Sequence, residues 1–74
     1  MRLDQYSKGD RYLISYISDY LVQNYHVSPA ESLEWINNSF LLDMLEEDPL
    51  FIHHEDPDTL SRDIAESNRV LSFS

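Results

Sequence analysis

Seventy-four residues hold one domain with a single core, and a chain this short buries only about 60% of the surface its unfolded form exposes. With no cysteine, disulfides and thiolate metal sites are excluded, which leaves regular packing or association as the source of stability. Fourteen acids against five bases give a net charge of −9, a field that repels phosphate backbones and anionic lipid headgroups, so neither a nucleic acid nor a membrane is expected as partner.

The lead from Met1 to Asp10 carries Arg2 and Lys8 without an apolar stretch behind them, unlike a secretory signal. Apolar runs such as Phe40-Leu41-Leu42 and Leu50-Phe51-Ile52 fall far short of the roughly 20 residues a membrane span needs. The absence of cysteine agrees with a reducing compartment, and a cytoplasmic location is expected.

The first helix is predicted over about 10–24. At ~100° per residue, Leu13, Ile14, Ile17 and Leu21 share one side, flanked by Tyr16 and Tyr20, while Ser15, Ser18, Asp19 and Gln23 fall opposite. Ser7 or Asp10 can cap its start.

Ser28-Pro29-Ala30-Glu31 is the clearest local signal, with serine at the N-cap, proline at the first helical position and glutamate three residues on. The serine oxygen can accept from the Glu31 N–H while the glutamate side chain returns to the Ser28 N–H. The second helix, about 29–38, would then contribute Ala30, Leu33, Trp35, Ile36 and Phe40 to the apolar interior. Asn37-Asn38-Ser39 should end it, because asparagine tolerates the left-handed conformation and Ser39 can cap a third helix over about 40–47. The competing reading is one unbroken helix from Pro29 to Glu47. Pro49 would stop the third helix. The segment Leu50 to Glu55 reads either as an extended stretch that tucks Leu50 and Ile52 into the core or as one loose turn. Asp56-Pro57 repeats the cap-proline logic and opens a last helix over about 57–69, with an apolar stripe of Leu60, Ile64 and either Val70 or Leu71, before a loose tail over 71–74. The fold class is therefore all-α: four short helices around one core, in one domain over 1–74 with a lead over 1–9.

Several residues invite a chemical role. His53-His54-Glu55-Asp56-Pro57-Asp58 combines metal-ligand types, and six acids lie between Glu46 and Asp58. Adjacent side chains rarely converge on one ion, however, and helical histidine pairing and the calcium-loop glycine are both absent. His53, His54 and Asp56 are thus metal candidates only in outline, and no metal or cofactor is expected. A histidine bonded to a helix end, with the acids in solvent, is the plainer account, although nearby acids favour histidine protonation and would make such a loop pH-responsive. Serine, histidine and aspartate occur without a glycine-rich turn or strained elbow to register them, so catalysis is not expected. A DNA-reading helix–turn–helix over Pro29 to Glu47 fails on charge, since its second member carries three acids and no base.

Tyr12, Tyr16 and Tyr20 recur every four residues and form a ridge on the first helix, either bordering the core with wet hydroxyls or exposed for contact. Trp35 lies nearly opposite Leu33 by angle, which exposes it unless the helix is buried on two sides.

An aromatic first helix, Tyr25-His26-Val27-Ser28 with Glu31, Ser39, Leu42-Asp43 with Leu45-Glu46, a histidine at His53 or His54, and Asp63-Ile64 together resemble a family of small bacterial proteins catalogued as a domain of unknown function. The similarity covers roughly Tyr12 to Glu66. Members are encoded beside other small reading frames, some resembling ADP-ribosylating toxins, so the resemblance implies an antitoxin-like or accessory role. It carries over no catalytic residue. The chain departs from the family pattern at Asn38, where a glycine is common, and in a more acidic loop before the last helix.

These features point to a cytoplasmic, non-catalytic interaction module that binds a protein partner of basic surface. Tyr12, Tyr16, Trp35, Glu46, Glu47, Asp48, Glu55 and Asp58 are its expected contact residues, with acid steering encounter and aromatics holding the complex. The alternatives are a homodimer completing its core across a two-fold axis and a metal- or pH-responsive regulator acting through His53 and His54.

Overall fold

Each of the three prolines opens a helix. Pro29, Pro49 and Pro57 all stand at the first helical position, where the missing N–H is no loss and the fixed φ is already helical. The computed structural model describes the backbone over residues 5–73 and the side chains through residue 69. Five α-helices lie among the described residues: α1 (Lys8–Tyr25), α2 (Pro29–Asn37), α3 (Leu41–Glu47), α4 (Pro49–His54) and α5 (Pro57–Phe73). The all-α class holds, with one helix more than the periodicity predicts.

Capping explains most boundaries. Ser7, rather than Asp10, caps α1 and accepts from the Asp10 N–H at 3.2 Å. Ser28 caps α2 and accepts from the Glu31 N–H at 3.1 Å. The return half of the expected capping box differs: the Glu31 carboxylate accepts from the Ser28 hydroxyl, at 3.5 Å, instead of from its backbone N–H. The break between α2 and α3 is real, so the single long helix is ruled out. Asn38 is not left-handed there (φ −89°, ψ 2°), because the junction tightens through Ser39 N–H donating to Ile36 O at 3.1 Å. Ser39 then accepts from the Leu41 N–H and donates to Ile36 O, tying both helix ends. The left-handed residue is His26 at the end of α1, φ 58°.

The added helix is α4. Asp48 accepts from the Phe51 N–H at 3.3 Å, so Asp48-Pro49 both ends α3 and starts α4. Ile52 is buried as expected, but Leu50 is 73% exposed. Two residues apart on a helix is about 200° of rotation, so one face cannot bury both. The last helix also outruns its predicted end at residue 69, continuing through Phe73 and absorbing most of the expected tail; Ser74 and the first four residues of the lead lie outside the described residues.

The core joins all five helices: Leu13, Ile14, Ile17 and Leu21 from α1, Ile36 from α2, Leu41 and Leu45 from α3, Ile52 from α4, and Leu60, Ile64 and Ala65 from α5. Helix α1 is the hub and packs chiefly on α5 and α2. Ala30 and Phe40, expected inside, are exposed. Ser32 takes an interior place instead, and its proton goes to Pro29 O at 2.7 Å. With that proton committed, the 2.5 Å contact to Ser18 has Ser18 as donor, which fastens α1 to α2. Buried Asn68 on α5 donates to Trp35 O and Ile64 O. Among the described residues no buried side-chain polar atom lacks a partner.

Candidate partner-binding surface

Two side-chain ties fix the chain from His53 to Asp58 along the first half of α1. His53 Nε2 meets Asp10 Oδ1 at 2.5 Å, and the Tyr16 hydroxyl donates to Asp58 Oδ1 at 2.7 Å. Residues 43 and 42 positions apart in sequence are thereby brought into register. Tyr16 and Asp58 therefore share one side of the molecule, with Asp56 close enough for its charge to act on the phenol and Tyr12 one helical turn before Tyr16. Tyr12 is 75% exposed and Tyr16 41%, while Tyr20 is half-buried, so the ridge runs from solvent towards the core. The Asp58 carboxylate raises the Tyr16 phenol above its ordinary value near 10, first through the hydrogen bond, then through partial desolvation and the charges of Asp58 and Asp56.

Trp35 is not part of this group. Its ring is half-buried and meets Tyr25 edge-on, with centroids 6.3 Å apart and planes at 61°. Tyr25 lies thirteen residues from Tyr12, about 20 Å along α1, so Trp35 belongs to the packing at the opposite end of the helix.

Glu46, Glu47 and Asp48 are exposed at the junction of α3 and α4. Glu46 also borders an open groove of about 510 Å³ between the start of α1 and α3, together with Tyr6, Asp10, Leu42 and Asp43. Glu46 and Glu47 close α3, where the helix dipole is negative and carboxylates cost about 0.3–1 kcal/mol each. Among the described residues the one short contact between acidic and basic side chains is Asp10–His53, and Lys8, Arg11, Arg62 and Arg69 are all exposed. Apart from Asp10, the acids therefore make no salt bridge among the described residues.

The histidine–acid loop does not assemble as a metal centre: among the described residues no group of three or more histidine, aspartate or glutamate side chains is placed to hold an ion. His53 is taken up by Asp10, His54 is exposed on α4, and Asp56 accepts from the Asp58 N–H and the Thr59 hydroxyl at the start of α5. No described helix is long and apolar enough to cross a membrane.

Two residues absent from the expected contact set stand out. Leu50 is 73% exposed and Phe51 49%, side by side on α4. The signal that could have found them is Asp48-Pro49, which marks a helix start and so puts only one of Leu50 and Ile52 inside.

No protein-family model, no curated protein and no solved structure matches the chain.

Proposed function

We propose that the protein is a non-catalytic interaction module that binds a protein partner of basic surface, in the antitoxin-like or accessory manner implied by its family resemblance. The observation that carries this reading is Tyr12, a large aromatic three-quarters exposed and one helical turn from Tyr16, which is bonded to the acidic segment at Asp58. Exposed aromatics framed by charge are what contact surfaces use: the field steers encounter and the ring holds the complex. The acids at Glu46 and Glu47, which make no salt bridge among the described residues, support the same reading, since they sit where they weaken their own helix. Many of the serines and one histidine have structural partners. Ser7, Ser28 and Ser39 serve helix ends, Ser18, Ser32 and Ser61 bond within or between helices, and His53 holds Asp10.

The test is capture of the tagged full chain from cells that naturally make it, at low salt, read by mass spectrometry. One partner with a basic surface should co-purify in stoichiometric amount, leave as salt is raised, and be captured less by Tyr12→Ala. A partner retained unchanged at about 500 mM salt would remove the acidic surface from the account, because screening at that strength reaches within a few ångströms. A solution mass of twice 8.8 kDa with no other protein bound would favour the homodimer instead.

A further inference from the structure

We infer that the exposed Leu50–Phe51 pair of α4 is the apolar anchor for a cationic amphipathic helix of another protein; this rests on the interaction reading above and names its partner class. The pair stands at the surface although Ile52, its neighbour, is fully buried, so α4 is docked on the core with an apolar side left over. In the chain Glu46, Glu47 and Asp48 immediately precede α4 and Glu55 immediately follows it, while His53 is tied to Asp10 and His54 is exposed.

Charge complementarity selects the occupant. A second copy in a two-fold contact would set each patch against itself, acid on acid, between molecules of charge −9. Anionic lipid and nucleic-acid surfaces carry the same sign as these acids and are repelled. A strand has no sheet edge to join among the described residues, which are helical between short joints. A helix with leucine-like residues on one face and lysine or arginine beside them covers Leu50 and Phe51 and neutralises the flanking carboxylates at once.

The probe is a synthetic leucine–lysine amphipathic peptide, followed by fluorescence anisotropy with the full chain. The native protein should bind it, the Leu50→Ser/Phe51→Ser double variant should bind roughly tenfold more weakly or worse, and the same peptide with glutamate for lysine should not bind. Circular dichroism checks that the variant keeps its helices; if it does not, Leu50→Ser alone decides on the same criterion, since that side chain is mostly in solvent. Equal affinity of native protein and variant overturns the inference, as does failure of the lysine peptide to bind. If either happens while Tyr12→Ala still loses the captured partner, the interaction reading stands and only the α4 anchor falls. A dimer that the double variant dissolves, seen by sedimentation, identifies a second copy as the occupant and overturns the inference too.

Discussion

The Tyr16 hydroxyl donates to Asp58 at 2.7 Å, and the accepting carboxylate makes the phenol harder to ionise. The consequence for stability has a definite sign. A folded-state value above the unfolded one means that the folded chain keeps this proton longer. The contribution is therefore complete below about pH 10 and is lost as pH rises from there through the raised folded value. Tyr16→Phe keeps the ring and removes the bond. In chemical denaturation, the gap between native protein and variant should be constant from neutral pH to about 9 and close above 10. A gap unchanged across that range would mean that the bond to Asp58 does not hold the acidic chain against α1. The tyrosine ridge itself is legible in the four-residue spacing, but its partner is not, because nothing local links Tyr16 to a residue 42 positions away. The same holds for Ser18 and Ser32, and for Asn68 reaching Trp35 O.

Helices are legible where periodicity and caps agree. In α1 four apolar residues recur on one face, and in α2 Ser28-Pro29 marks the start, so both appear nearly at their true bounds. Helix α4 is missed because six residues are too few for a periodic stripe, and because a proline read as a stop was also a start. Such a short helix is marginal alone. It is held by the Asp48 cap, by Ile52 in the core and by the His53–Asp10 contact. Asp48→Ala should cost about 1 kcal/mol and act locally. Hydrogen exchange should speed up at the α4 amides, Phe51 first, while α1 and α5 keep their protection. Equal acceleration in every helix would show that α4 does not open separately from the rest.

At the scale of the molecule, a Cα radius of gyration of 11.6 Å matches the roughly 11 Å expected of a folded chain this long. The interior therefore closes within one chain, while the acids of the exterior, Asp10 apart, make no salt bridge among the described residues. Net charge was readable from composition alone. Which acids gather beside which aromatics was not, since that depends on the two ties between α1 and the segment from His53 to Asp58. The division of labour between charge and apolar contact makes a kinetic prediction. With the captured partner immobilised, the association rate should fall on the order of tenfold between ~50 and ~300 mM salt, with a much smaller change in dissociation rate. An association rate indifferent to salt would contradict the account at its centre.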